Sequence, residues 1–320
     1  MIRASIGEKK YWNTWIEKDV LWLKDVSEKS ALPSKNTIYR PEYVWGSATD
    51  QCRLMLRLYS SGAPIRDLAQ HFPGLLDAWV LSNRLSDEVC KENDLQTCRD
   101  WDFSLTNLNH YNWCFWLVGL ALALEISEDQ WQRLLALVGG EGEDELLDRV
   151  IASRTPGRRI GAALLHAKPY ARLLKAVNTP LDVQAAQTLT QRLGIKPYSL
   201  NYSPNAVPGD QAALLLSFVD HWYAELKRPA PKNKKAPTLE PFWYIYGDPE
   251  KHPLEMGCYF GRWCIEAVAA VKAFGLDDSL CLGHEHYPGD LLRPDGPSTH
   301  PVREEPKTGW LARMFGKKTS

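Results

Sequence analysis

The chain has no excess of one charge: 38 Lys and Arg stand against 39 Asp and Glu, for a formal net charge of -1 over 320 residues. A surface that grips phosphates needs a basic excess, so direct binding to nucleic acid is not expected. There is no long apolar run either. The longest, Trp113 to Leu124, has twelve residues, which suits a buried helix and is too short to span a bilayer. The opening MIRASIGEKK has no apolar stretch and no cleavage site, so no secretory signal is expected. No segment alternates polar and apolar residues at strand spacing, which leaves few strands or none. No repeat of solenoid type occurs. A phosphate-cradling glycine loop is missing, and no Ser, Cys or Lys sits in an activating motif. No cofactor and no enzymatic activity are therefore expected. The seven cysteines are odd in number and follow no zinc spacing. Free, reduced and mostly buried thiols in a cytoplasmic protein are the simplest expectation.

What the chain does have is ring and helix. It carries 13 Trp, 13 Tyr and 8 Phe, and 44% of its residues are apolar. Large rings bury much area each, so they anchor cores and interfaces alike. Apolar residues recur at helical spacing along most of the chain, which predicts an all-α fold. The first helix is expected over Gly7 to Lys29 and the second over Tyr43 to Ser60, closed by Gly62. Pro64 suits the first turn of a third, which Pro73 and Gly74 should interrupt. Leu105 to Ile126 is apolar all round and belongs at the centre of its domain. Ser127 and Gln130 have capping-box spacing for the next helix, which Gly139-Gly140 should stop.

Turn residues and charge at Arg154 to Arg159 mark a boundary. Two helical domains follow, residues 1-155 and 156-295, with a loose tail over 296-320. In the second domain, short helices are expected around Gly161 to His166 and Pro169 to Val177. A further helix begins at Thr179-Pro180 and ends at Gly194, and Lys196 to Gly209 is a loop. Asp210 to Leu226 is another apolar helix. Pro229 to Pro241 is a proline-lysine linker. A last stripe, Phe260, Trp263, Cys264, Ala267, Val271 and Phe274, reads as one helix terminated by Gly275. In the tail, Asp295 to Arg303 should be loose, and Trp310, Leu311, Met314 and Phe315 could form a small docked helix.

Two clusters invite a chemical reading. His284-Glu285-His286 has metal-like composition, with Asp277, Asp278, Asp290 or His252 as a third ligand, and would suit a metal-dependent hydrolase. The plainer reading is a loop whose polar side chains bond backbone. Glu266 lies in an apolar helix, and a buried carboxylate needs a partner. The Tyr287 hydroxyl or an arginine from a neighbouring helix is expected. The second cluster is an acidic run, Glu141, Glu143, Asp144, Glu145 and Asp148. It is either a solvated helix end or a surface that meets a basic partner. The groove between the domains and the basic linker (Lys227, Arg228, Lys232, Lys234, Lys235) are the other candidate partner surfaces.

One stretch is specific. Tyr259 to Asp290 carries Phe260, Gly261, Trp263, Glu266 and Ala267, then Gly275, Leu276, Asp277, Asp278 and Ser279, then Tyr287, Pro288, Asp290 and Leu291. This pattern resembles the C-terminal domain of PoNi-type immunity proteins. The first half resembles their N-terminal domain through the charged-aromatic helix Lys10 to Lys24, LRLYSSGAPIRDL (Leu56 to Leu68) and LALEISEDQW (Leu122 to Trp131). The resemblance spans about Glu8 to Leu292. It implies an all-helical, non-enzymatic inhibitor that binds a cognate nuclease toxin, commonly one delivered by a type VI secretion system. It also implies that Gly261, Trp263, Glu266, Asp277, Asp278, Tyr287, Pro288 and Asp290 are architecture. The linker and the tail after Arg293 gain nothing from it.

Overall fold

The computed structural model describes residues 1-95, 102-179, 211-229 and 239-303. Among these there are ten α-helices and no strand, so the all-helical expectation holds. They are α1 (Lys9–Ser30), α2 (Arg40–Ser61), α3 (Phe72–Glu92), α4 (Leu108–Ala123), α5 (Glu128–Val138), α6 (Glu145–Ala152), α7 (Ala167–Asn178), α8 (Gln211–Glu225), α9 (Phe242–Tyr246) and α10 (Ile265–Phe274).

Local signals account for most of the boundaries. Gly62 ends α2 in the left-handed conformation, where a side chain would be strained. Asn107 caps α4 by accepting the amides of Asn109 and His110. Ser127 and Gln130 form the full capping box of α5. Pro73 does not interrupt a helix. It lies in the first turn of α3, where its missing N–H costs nothing. The segment Gly161 to His166 is not helical; its Gly161 and Leu165 amides go to the carboxylates described below. The calls for residues 180-210 and for Trp310 to Phe315 fall outside the described residues.

The core is built around α4. Every residue of α4 except Asn109 is buried, as a helix without a polar face requires. Its main neighbour is α10, from the other end of the sequence. Gly119 allows the close approach: a Cβ there would stand 2.9 Å from Ile265 Cγ2 and 3.0 Å from Ala269 Cβ. Ala267, Ala269 and Ala270 are all buried on α10, so two backbones meet where larger residues would hold them apart. Around this pair α1 packs on α2, α2 on α3, and α7 on α8. The buried apolar residues form one cluster that runs from Ala4 to Leu291.

The tail is held as far as the structure describes it. Arg303 donates to the carbonyls of Ala4 (2.6 Å) and Gly7 (3.1 Å), and His300 is buried against the Tyr59 hydroxyl at 2.7 Å. Asp295 to Arg303 is therefore not loose. Among the described cysteines Cys52, Cys114, Cys258, Cys264 and Cys281 are free, whereas Cys90 is disulfide-bonded; the expectation of free thiols throughout fails there. Among the described residues no helix is long and apolar enough to cross a membrane.

Candidate functional site

The signature stretch has three polar locks. The first lies before α10. Residues Gly257 to Cys264 are not helical, so the expected single helix from Phe260 is corrected to one that starts at Ile265. Gly261 sets this course at φ +104°, and an added Cβ would run into the Trp263 indole and the Ser60 hydroxyl. Trp263 Nε1 donates to Ser60 Oγ at 2.8 Å, across 203 positions of sequence. The Cys264 amide donates to the His286 carbonyl at 2.8 Å.

The second lock is Glu266, fully buried in the first turn of α10. Asn112 Nδ2 donates to its Oε1 at 2.7 Å and the Tyr170 hydroxyl at 3.0 Å. Asn112 Oδ1 in turn accepts Trp243 Nε1 at 2.6 Å. Burial pushes the Glu266 carboxyl up to about 7, although the Tyr170 hydroxyl and the indole N–H groups of Trp222 and Trp116 oppose it. Neither indole completes a hydrogen bond with Oε2. The expected partners, Tyr287 or an arginine, are wrong. Sequence offered no sign that an asparagine inside the apolar α4 would serve.

The third lock joins the loop after α10 to Arg3 and to residues 293-299. Asp278 is buried; it accepts Tyr287 Oη at 2.6 Å and the Arg293 fork at 2.7 and 2.9 Å. Asp290 accepts Arg3 Nε at 2.6 Å, Ser298 Oγ at 2.7 Å and the Thr299 amide at 2.6 Å. Burial raises the Asp290 carboxyl, but the Thr299 amide, Arg3 and Ser298 outweigh it and hold the group below the usual carboxylate range. Pro288 is buried beside it. Asp277 is half-buried and accepts the Ser279 amide at 2.9 Å.

The metal reading of the histidine loop finds no support. His284 Nε2 faces Asp220 Oδ1 at 3.0 Å, and its Nδ1 accepts the His286 amide at 3.0 Å. Both of its nitrogens are thus committed. Among the described residues no group of three His, Cys, Asp or Glu is arranged to hold a metal ion.

The acidic run divides. Asp144 caps α6 and accepts the amides of Leu147 and Leu165, both at 2.8 Å, and the Tyr111 hydroxyl at 2.9 Å. Asp148 accepts the Gly142 and Gly161 amides at 3.0 and 3.1 Å and Arg158 Nε at 2.6 Å. Both carboxylates are buried, so neither can meet a partner in this conformation. A buried carboxylate is held where several N–H groups replace its water. Glu145 is half-buried against Arg149, and Glu141 is exposed but accepts the Arg159 amide at 2.8 Å. Glu143 is exposed. Asp144 was recognisable as a cap, since it directly precedes Glu145 and the apolar stripe of α6.

A cleft of about 700 Å³ opens between the two halves of the chain. Trp45 of α2, Trp113 of α4, and Phe242, Trp243 and Tyr246 of α9 line it. Its charged lining is Glu42, Asp102, Glu240, Arg53 and Arg228. Of these aromatics the sequence reading singled out only Trp113, and that as core.

The described residues form a helical protein whose signature polar side chains are bonded within its own fold. Comparison with known proteins is more specific. Residues 3–136 match the N-terminal model of the PoNe immunity protein (PoNi), and residues 195–291 match the C-terminal model of PoNe immunity proteins. The chain belongs to the PoNe immunity protein family, whose members are immunity proteins against PoNe nuclease toxins. A solved structure, that of protein PA2201 from Pseudomonas aeruginosa, is similar with a TM-score of 0.59 and 16% identity, over 92% of this chain and 90% of that one. That likeness bears on the fold alone. No curated protein matches the chain.

Proposed function

We propose that this protein binds its cognate PoNe-type nuclease toxin and neutralises it without catalysis, by covering the toxin's active site or by disrupting the toxin's assembly. The carrying observation is that both family models match, one in each half of the chain. The toxin would be one delivered by a type VI secretion system between competing bacteria. The encounter would occur in the cytoplasm, because a toxin that cuts DNA must be stopped where the DNA is. Internal use of the signature carboxylates supports binding over chemistry: Glu266, Asp278 and Asp290 all face donors of this same chain.

Co-expression with the cognate toxin tests the proposal. Cells should survive, and a stable complex should elute on size exclusion. Continued killing, with the two proteins eluting separately, would overturn it.

A further inference from the structure

We propose that Glu266 holds one wall of the cleft through Asn112: the ionised carboxylate keeps the asparagine amide turned so that it accepts Trp243, and protonation of Glu266 releases that indole. The inference stands whatever the protein binds.

The relay is short. Glu266 Oε1 accepts Asn112 Nδ2 at 2.7 Å, and Asn112 Oδ1 accepts Trp243 Nε1 at 2.6 Å. Trp243 belongs to α9 and lines the cleft. Phe242 and Tyr246 of the same helix are exposed rings of that wall. With five residues, α9 is too short to hold its own shape. It rests on α4 through two asparagines one helical turn apart: the Phe242 amide donates to Asn109 Oδ1 at 3.1 Å, and the Trp243 indole to Asn112. What orients Asn112 therefore sets how α9 sits.

A count of hydrogens decides that orientation. A carboxylate only accepts, while an amide has one donating and one accepting end. The side chains that bond or face Glu266 are donors. Asn112 Nδ2 gives one hydrogen to Oε1 and the other to Tyr170 Oη at 3.0 Å, and the tyrosine hydroxyl donates to Oε1 at 3.0 Å. The indole N–H groups of Trp116 and Trp222 face the carboxyl without completing a bond. Each hydrogen of Asn112 and Tyr170 then has an acceptor, and Asn112 Oδ1 is left for Trp243. A proton on Glu266 adds a donor among donors. Tyr170 Oη already accepts Asn112 and would lose its own acceptor by taking this proton. Asn112 Oδ1 can take it by turning the amide over, which sets the amide nitrogen against Trp243 Nε1. Two donors cannot bond each other, so the indole loses its partner at a buried site.

Burial raises the Glu266 carboxyl to about 7, so both forms are within reach near neutral pH. Tyr111 of α4, Tyr170 of α7 and Cys264 ahead of α10 face it, and burial pushes all three toward their protonated forms. Charged groups on the other elements packed against α10 are engaged elsewhere: Asp148 and Glu145 of α6 with Arg158 and Arg149, Asp220 and Glu225 of α8 with His284 and Arg172, and Asp290 with Arg3. His286 is the competing titrating group, with its ring 6.2 Å from that of Trp222; burial shifts it toward neutral.

Hydrogen exchange of the Trp243 indole N–H tests the relay, followed by NMR on the full-length protein with nitrogen-15-labelled tryptophan. Trp243→Phe assigns the signal. Protection relative to free tryptophan should fall about fivefold or more from about pH 8 to about pH 6. Global stability runs the other way. A carboxyl raised on folding contributes stability that is lost as pH rises through its folded value, so protection that merely followed unfolding would be greater at the acid end. In Glu266→Gln the pH dependence at Trp243 should vanish, and in His286→Asn it should persist. Constant protection across this range in the wild type would overturn the proposal, and so would protection that grows toward acid. A dependence that survives in Glu266→Gln and disappears in His286→Asn would overturn it as well. Should Glu266→Gln fail to fold, the direction in the wild type decides.

Discussion

The signature stretch after Tyr259 and the cleft beside α9 use the same residue types to opposite ends. In the signature, Trp263, Glu266, Asp278, Tyr287 and Asp290 are all buried and bonded to the chain itself. At the cleft, Phe242, Tyr246, Glu42 and Asp102 are exposed. Aromatic rings and carboxylates are thus no guide to function by type. A buried carboxylate ringed by donors has its bonding capacity filled and is fold. An exposed ring at a concave surface still has area to bury and can act as interface. The signature residues are therefore part of the frame.

Four substitutions test this contrast, starting with the largest expected effect. Asp278→Ala removes the common acceptor of Tyr287 and Arg293 and should cost about 3 kcal/mol or more, read as a lower denaturant midpoint. A loss below about 1 kcal/mol would mean that the lock is not what holds the loop.

Glu266→Gln should alter how stability depends on pH. The folded carboxyl is raised from 4.5 to about 7. Its contribution is therefore fully present below pH 4.5 and is lost as pH rises through about 7. That shift corresponds to about 3 kcal/mol across the window. The wild type should weaken over this range while the variant follows a flatter profile, as measured by denaturant titration at several pH values. Parallel profiles would contradict it.

Trp263→Phe removes the N–H bonded to Ser60 and part of a buried ring system. About 2 kcal/mol should be lost, from the hydrogen bond and the cavity together. Phe242→Ala lies at the other end of the comparison. Its ring is mostly exposed, so stability should stay within about 0.5 kcal/mol in thermal unfolding. A large loss of stability at Phe242 would erase the distinction between frame and cleft.

Much of the fold was legible because its signals are local. The capping box at Ser127, the left-handed stop at Gly62 and the all-apolar α4 each act within one or two turns. Pro73 was misread for a reason just as local: the same residue that breaks a helix also begins one, and only the geometry of the preceding turn, Ile65–His71, decides which. Gly261 lies inside the stretch expected to be one helix from Phe260, although its positive φ turns the chain into a non-helical approach to α10. The acidic run misled because a row of carboxylates looks solvated until the amides that bury Asp144 and Asp148 come into view.

The candidate site was legible only in part. The groove could be anticipated as a place, but not its lining. Trp45 and Trp243 face it from points about two hundred residues apart, and nothing in either neighbourhood says so.

By itself, the sequence determined the helical class, most helix ends and membership of the immunity family, because periodicity, caps and motif are properties of neighbouring residues. Only the tertiary structure decided that Glu266 meets Asn112 and Tyr170, that Asp290 holds Arg3, and that a ring-lined cleft opens between the two halves. Those outcomes depend on which distant groups packing brings within hydrogen-bond reach. Burial then forces each such pairing, since a polar group taken from water without a partner costs more than the fold can spare.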